Sequence, residues 1–178
     1  MIKIICSDEN TDEKIIYRLM DIEAKEYEPC WRGEFSSIRE RFIKYPEMFY
    51  LVYDGEELVG YFCYFPISQK LYEDIAVKFQ FHDDDILPDD IVPIKEASHL
   101  YLLSVVILKQ YQDTGVADEI MKMFENFISQ KRQEGVYIKD VIASTVTNAG
   151  EKFVKRYGYE LMYEQRQLEG FKIYKKEF

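Results

Sequence analysis

The sequence predicts an α/β fold (α+β with a mixed sheet) whose elements follow in the order βααββ, an insertion, and βαβαββ. Its basis is a β-rich hairpin in the first half, another at the end, and a strand, long helix and strand between them. Because two strands joined through a helix pair in parallel, the sheet must contain both strand directions. The length of 178 residues predicts one domain, residues 1–178.

The first elements are a strand and two helices. "MIKIIC" is rich in Ile and suits a strand. In "IIYRLMDIEAKEY", which follows candidate Ser, Asp and Thr caps, one helical face carries Ile15, Leu19 and Ile22. The segment "SSIRERFIKYP" predicts a second helix, capped by Ser36 or Ser37.

A hairpin and an acidic insertion follow. The run "FYLVYDGEELVGYFCYF" places Asp54-Gly55, a strong turn signal, between two β-rich segments. Residues 68–97 begin with a possible helix, "QKLYEDIAVKF", and continue as "HDDDILPDDIVPIKEAS", which is acidic and carries two prolines. We expect an excursion between two strands. It is either a functional element or a solvated acidic loop.

The second half predicts a strand–helix–strand unit and a terminal hairpin. "HLYLLSVVIL" is a buried strand, and "VYIKDVIASTV" is its parallel partner. The helix between them repeats apolar residues at helical spacing and ends at Gly135. These residues are Val116, Ile120, Phe124, Phe127 and Ile128. "TNAGEKFVKRYGY" is a short helix ended by Gly158, and "YELMYEQRQ", "LEG" and "FKIYKKEF" form the last hairpin.

Charge and composition exclude several classes of protein. The net charge of −10 repels nucleic acid and anionic membranes, so we expect neither as a partner and favour cationic ones. The cysteines, Cys6, Cys30 and Cys63, are odd in number and widely spaced. Together with His82 and His99 they form no metal-ligand spacing, so no metal is predicted. "MIKIICSDEN" is not typical of a secretion signal, and we therefore expect a cytoplasmic protein. The sequence leaves the oligomeric state open, and a homodimer is one of the alternatives.

The segment "QYQDTGVADEIM" joins the buried strand to the long helix. The N-terminus of a helix presents free N–H groups at the positive end of its dipole and can bind phosphate without cationic side chains. Gly115 permits a close approach of the backbone to a ligand. The segment is neither a Walker A loop nor a dinucleotide fingerprint, because it lacks the glycines and the Gly-Lys-Ser/Thr ending that these require.

The residues "QDTGVA", 112 to 117, reproduce the Q/R-x-x-G-x-G/A motif of the GNAT acetyltransferase superfamily. "FVKRYGY" resembles the second signature of that family, and "FYLVYDGEELVGYFCY" is similar to the strands that precede the motif. The chain therefore resembles the GNAT fold over residues 1–178, with 68–97 as an elaboration.

The resemblance implies an N-acyltransferase that uses acetyl-CoA, or another acyl-CoA, and a primary amine that attacks directly. Backbone amides of the motif would hold the pyrophosphate, and the end of the first parallel strand would bond the pantetheine arm where the two strands part. The Ile107 amide would face the thioester carbonyl. The implied cofactor-binding residues are Val106, Ile107, Leu108, Gln112, Asp113, Thr114, Gly115, Val116, Ala117 and Asn148. Asn148 is equally typical of a helix N-cap.

Two residues depart from the family's pattern. Asp113 places a negative charge beside the pyrophosphate position, unless it points outward or caps the helix. Val154 stands where many relatives carry a Tyr that protonates the leaving thiolate. The alternative function is therefore a non-catalytic acyl-CoA-binding or regulatory module.

Candidates for proton transfer and amine binding follow from position. Tyr101 stands where relatives often carry a carboxylate base, and His99 points to the same side of the strand and could accept a proton through water. The alternative is that His99 lies in solvent at the end of the strand and that Tyr101 only fills space in the core. A cationic amine could be bound by Trp31, Glu28 and Glu34. The alternative is that Trp31 packs against the protein and that the two glutamates are ordinary surface residues. Cys30 has no convincing His partner for nucleophilic catalysis.

Overall fold

The computed structural model describes residues 1–79, 86–165 and 170–178. The strands are β1 (Ile2–Cys6), β2 (Phe49–Asp54), β3 (Glu57–Ile67), β4 (His99–Ile107), β5 (Asp140–Thr145), β6 (Glu160–Glu164) and β7 (Lys172–Glu177). The α-helices are α1 (Ile15–Glu26), α2 (Phe35–Lys44), α3 (Gln69–Ala76), α4 (Val116–Gln133) and α5 (Asn148–Arg156). This is the predicted order, with α3 inside the insertion.

The strands form a mixed sheet in the order β1-β2-β3-β4-β5-β7-β6. β4 and β5 pair in parallel, as the strand–helix–strand pattern predicts. The pairs β1–β2, β2–β3, β5–β7 and β6–β7 are antiparallel. The predicted α/β fold with a mixed sheet is thus confirmed.

The chain divides into two compact units. The first contains Met1–Tyr64 and Ser104–Met123, and the second contains Phe65–Leu103 and Phe124–Phe178. The prediction of a single domain over residues 1–178 stays a prediction.

The first unit packs α1 and α2 around a core of fully buried side chains. Burial of a large apolar side chain contributes ~1.5–3 kcal/mol, so this face of α1 anchors the helix. Buried core residues of this unit include Ile16, Leu19, Ile22, Phe42, Val52, Val59 and Phe62. The predicted apolar face of α1 is therefore confirmed, since Ile15, Leu19 and Ile22 are all buried.

The predicted serine caps of α2 are wrong. The Ile38 N–H donates to the Glu34 carbonyl at 3.0 Å, so the helix starts at Phe35 and encloses both Ser36 and Ser37. The Phe35 ring, at the first residue of α2, stacks on Tyr17 of α1 with 5.0 Å between the ring centroids.

The second unit includes the described part of the insertion, which is packed rather than a solvated loop. Ser68 caps α3, because its Oγ accepts a hydrogen bond from the Leu71 N–H at 3.2 Å. Ile75 is fully buried, and Ile91 forms an isolated bridge with Ile67 at the end of β3. The start of "HDDDILPDDIVPIKEAS" lies outside the described residues.

In the second unit α5 begins with a threonine cap. The Thr147 Oγ1 accepts from the Gly150 N–H at 3.0 Å, so the N-cap alternative for Asn148 is wrong. Gly158 ends the turn after α5 with a φ of 81°, as predicted from its position. Among the described residues, no helix combines the length and apolarity needed to cross a membrane.

Candidate functional site

The end of β4 lies against β3 at a glycine. A Cβ added to Gly60 would meet the Val106 carbonyl oxygen at 2.6 Å, so only Gly allows the two backbones to approach this closely. The Leu108 N–H donates to the Val59 carbonyl at 2.9 Å. Because backbone groups alternate in direction along a strand, the Ile107 N–H lies on the side of β4 away from β3.

The parallel ladder between β4 and β5 is short. It runs from the pair His99–Asp140 to the pair Leu102–Ala143. β4 continues beyond the last of these pairs to Ile107. Ordinary ladder pairing in this register therefore does not extend to the end of β4.

The segment between β4 and α4 ends in a turn at Gly115. Gly115 has a φ of 88°, and a Cβ added there would meet nothing within 4 Å, so its α-hydrogen faces open space. The N–H groups of Gly115, Val116 and Ala117 donate no hydrogen bond to any described residue. They lie at the positive end of α4, an 18-residue helix. This arrangement suits an anion such as a phosphate.

The side chain of Gln112, the glutamine of the motif, contacts α1 and β4 instead of the turn at Gly115. The Gln112 Nε2 donates to the Ile107 carbonyl at 3.0 Å and to the Glu26 Oε2 at 3.1 Å. The Glu26 Oε1 also accepts from the Lys109 N–H at 2.9 Å. Sequence reasoning missed Glu26, and no local signal could have found it, because its partners are 83 and 86 positions away.

The acidic residues at the start of α4 remain in solvent. Asp113 is exposed, and among the described residues its carboxylate accepts no hydrogen bond, so it does not cap α4. Asp118 and Glu119 follow in the first turn. Acids in the first turn favour the helix dipole, and any anion bound at the same N-terminus must tolerate them.

The connection between α1 and α2 carries the residues predicted to bind an amine. Trp31 is half-buried, whereas Glu28 and Glu34 are exposed. The Arg32 guanidinium holds this connection against the end of α1, because it donates to the Tyr27 carbonyl at 2.9 Å and to the Ala24 carbonyl at 3.1 Å. Arginine satisfies in this way two carbonyls that the helix end leaves free.

A buried carboxylate holds the same connection from inside. The Glu23 Oε2 accepts from the Gly33 N–H at 2.8 Å, and its Oε1 accepts a short hydrogen bond from the Tyr61 hydroxyl. Burial, and next the charge of Glu23, raise the pKa of Tyr61 well above its ordinary value, so Tyr61 is a neutral donor. Glu23 follows Leu19 by four positions, and a charged residue on the apolar face of a helix is the signal that sequence reasoning missed.

In the second unit, His99 is buried and paired. Its Nδ1 lies 2.7 Å from the Asp140 Oδ1, and its ring stacks on Tyr72 with centroids 3.5 Å apart. The alternative that His99 lies in solvent is therefore wrong, since it is 4% exposed. Tyr101, fully buried, pairs with Ile142 in the ladder. The proton-transfer roles of His99 and Tyr101 stay predictions.

The remaining candidates are spread over the chain. Val154 is buried in α5, and Asn148 is exposed at the start of that helix. Burial raises the pKa of the Cys63 thiol to about 12, so it stays protonated at neutral pH and is no nucleophile. Within residues 1–79, 86–165 and 170–178, no three His, Cys, Asp or Glu side chains form a group that could hold a metal ion.

Comparison with known proteins agrees with this geometry. The model of the acetyltransferase (GNAT) family matches residues 16–159. The chain belongs to the GNAT acetyltransferase family. No curated protein sequence matches it.

Solved structures of GNAT proteins share the fold over nearly the whole chain. The loading GNATL domain of CurA from Lyngbya majuscula is 13% identical, with a TM-score of 0.74 over 99% of this chain and 98% of that chain. The GphF GNAT-like decarboxylase, in complex with isobutyryl-CoA, is 12% identical, with a TM-score of 0.70 over 98% of both chains. Naa50 from Arabidopsis thaliana, in complex with the bisubstrate analogue CoA-Ac-MVNAL, is 15% identical, with a TM-score of 0.62 over 99% of both chains. At these identities the likeness shows the fold alone.

Proposed function

We propose that this GNAT protein transfers an acetyl group from acetyl-CoA to a primary amine, which attacks the thioester directly. The observation that carries the proposal is the turn at Gly115, where N–H groups at the start of α4 border open space. The family membership supports it, and so do the CoA compounds bound in the GphF and Naa50 structures.

The chain's own backbone supplies the groups that acyl-CoA needs. The amides of Gly115, Val116 and Ala117, which have no acceptor among the described residues, would bind the diphosphate. Within the predicted segment Gln112–Ala117, the N–H groups of Gln112 and Thr114 already donate to the Lys109 and Tyr111 carbonyls, both at 3.3 Å. The Ile107 N–H, which faces away from β3, would donate to the thioester carbonyl and stabilise the negative charge that develops there. When bound, acetyl-CoA supplies the activated acyl group.

The neighbouring backbone narrows the predicted contacts of β4. The Leu108 N–H already donates to the Val59 carbonyl, and the Leu108 carbonyl accepts from the Tyr111 N–H at 2.8 Å. Val106 directs its carbonyl toward Gly60. Of the residues Val106 to Leu108, Ile107 is therefore the one that we assign to the thioester.

The acceptor is proposed to be a cationic amine. The net charge of −10 attracts a cation, and Glu28 and Glu34 are exposed on the connection that carries Trp31. The amine must lose a proton before it attacks, and we assign the acceptance of that proton to the His99 imidazole, with the Tyr101 hydroxyl taking part in its transfer. With Val154 at the position of the usual general acid, solvent or another group protonates the thiolate.

The alternative is a non-catalytic acyl-CoA-binding or regulatory module of the same family. The observation that favours it is the buried Val154, which cannot donate a proton. Titration of acetyl-CoA by calorimetry and a panel of amines (polyamines, aminoglycosides, peptide N-termini and lysine side chains), assayed for thiol release, separate the two functions. Tight binding without thiol release for any amine supports the alternative.

The cofactor assignment is tested by Gly115→Val with Gly135→Val as its matched control. Both glycines have a positive φ, 88° and 90°, and open space at the Cβ, so both variants carry a similar backbone strain of about 1–2 kcal/mol. Only the side chain at 115 would obstruct the amide donors of α4. We expect Gly115→Val to weaken acetyl-CoA binding at least about tenfold, the loss of roughly 1.4 kcal/mol.

Gly135→Val should bind acetyl-CoA as the parent does, because it lies at the other end of α4. Both variants are first compared with the parent by thermal unfolding, so that a loss of binding is read only from folded protein. Equal affinity of folded Gly115→Val and parent contradicts the assignment of the diphosphate site.

A further inference from the structure

Glu26 lies where a carboxylate is normally unfavourable. It is the last residue of α1, at the negative end of the helix dipole. Each of its oxygens nevertheless accepts a hydrogen bond from the segment after β4, Oε1 from the Lys109 N–H and Oε2 from the Gln112 side chain. The tertiary contacts of the carboxylate therefore offset an unfavourable local position.

Gln112 extends this contact to the strand. Its Nε2 donates one hydrogen to Glu26 and the other to the Ile107 carbonyl. Lys109 and Gln112 thus make three hydrogen bonds that hold the segment between β4 and Gly115. Two of them are to Glu26 on α1, and the third is to the Ile107 carbonyl on β4. Gly115 and the free N–H groups follow directly along the chain.

We propose that Glu26 is a positioning residue for the diphosphate-binding segment 112–117. The carboxylate touches no ligand, and it acts through the Lys109 N–H and the Gln112 side chain, which set the path of the backbone into Gly115. This inference rests on the proposed binding of acyl-CoA.

The sign of the effect separates this role from simple electrostatics. A carboxylate near a site for diphosphate repels the ligand, so Glu26 acting only as a charge would weaken binding, and its removal would strengthen binding. If Glu26 positions the amides, its removal weakens binding. Raising the salt concentration suppresses the first effect and leaves the second.

The test is Glu26→Ala, with Asp21→Ala as the control for charge. Asp21 is an exposed carboxylate of the same helix and makes no hydrogen bond or ion pair with a described residue. We expect calorimetry to give an affinity for CoA about fivefold to tenfold lower in Glu26→Ala, the loss of one or two charge-assisted hydrogen bonds that are partly exposed. Asp21→Ala should match the parent or bind slightly tighter.

Glu26→Gln provides a graded second variant. Its carbonyl oxygen can still accept from the Lys109 N–H, whereas its NH₂ faces the donor group of Gln112. We expect an affinity between those of the parent and Glu26→Ala. In amine assays the loss should appear in the KM for acetyl-CoA, with kcat at saturation nearly unchanged, a split that a general loss of stability would not produce.

Amide hydrogen exchange without ligand distinguishes failure of this inference from failure of the proposed function. We expect faster exchange at residues 109–117 in Glu26→Ala than in the parent, and no change in Asp21→Ala. If the parent does not bind CoA, the proposed function fails, while faster exchange still supports the positioning role. Unchanged exchange together with equal or tighter CoA binding in Glu26→Ala overturns the inference.

Discussion

Removal of the Tyr61 hydroxyl tests whether the buried carboxylate of Glu23 holds the connection between α1 and α2. In Tyr61→Phe one carboxylate oxygen of Glu23 loses the hydrogen bond from the Tyr61 hydroxyl, and the other keeps the Gly33 N–H. Tyr61 is 3% exposed and Glu23 4%, so water cannot readily replace the hydroxyl. The connection that carries Trp31 would then lose the support that the Tyr61 hydroxyl gives to the Glu23 carboxylate.

The expected loss of stability follows from the charge and the burial. A hydrogen bond to a charged group contributes about 1.5–3 kcal/mol, and the burial of both partners places the effect in the upper half, about 2–3 kcal/mol. For a chain of this length, 1 kcal/mol corresponds to roughly 2–4 °C in Tm. We therefore expect Tyr61→Phe to melt about 4–12 °C below the parent.

The matched control is Tyr159→Phe. Tyr159 is also 3% exposed, but its hydroxyl has no hydrogen-bond partner among the described residues, so its removal should leave Tm unchanged or slightly higher. Calorimetry gives the two Tm values. Trp31, the one tryptophan of the sequence, reports on the connection by its fluorescence, which should change in Tyr61→Phe and not in Tyr159→Phe.

A melting temperature of Tyr61→Phe within about 1 °C of the parent, with unchanged Trp31 emission, would refute this reasoning. It would mean that the Glu23 carboxylate needs no donor from β3. The replacement Glu23→Gln should be milder than Tyr61→Phe, because the amide oxygen can accept from Gly33 and the NH₂ can donate to the Tyr61 oxygen.

Two further variants test proton transfer and the pH dependence of stability. Tyr101→Phe should lower the turnover of the preferred amine more than the affinity for acetyl-CoA, as steady-state kinetics and calorimetry will measure, and unchanged turnover would leave Tyr101 as a packing residue. Hydrogen bonds from Lys155 and then Lys172 lower the pKa of Glu151 from 4.5 to about 2. Because the folded pKa is lowered, the stabilising contribution is present above pH 4.5 and is lost as the pH falls toward 2. Glu151→Gln should thus unfold more easily than the parent in denaturant at pH 7, and the difference should vanish near pH 2; a difference that persists at low pH would contradict the assignment.

Family membership leaves the reaction of this chain to experiment. The structures that share its fold include the GphF GNAT-like decarboxylase and Naa50 with the bisubstrate analogue CoA-Ac-MVNAL. The reaction depends on which groups border the acyl group, and the position that we propose for the general acid holds the buried Val154. The amine panel and the Tyr101 variant therefore test the reaction directly.

The sequence alone determined those features whose causes are local. Apolar spacing predicted α4, the Asp54-Gly55 turn predicted the first hairpin, and the residues around Gly115 predicted a strand-to-helix turn with free amides. Each depends on residues within a few positions of one another. Periodicity and turn chemistry are therefore sufficient to recognise them.

Only the tertiary structure decided which distant side chains hold that turn and its neighbours. Glu26 reaches Gln112 across 86 positions, and Glu23 reaches Tyr61 across 38. Such pairs are set by how helices pack on the sheet, and nothing in the sequence near either partner specifies the other. The sequence predicted the residues that we propose to bind acyl-CoA, whereas packing selected the carboxylates that accept hydrogen bonds from that segment and from the connection between α1 and α2.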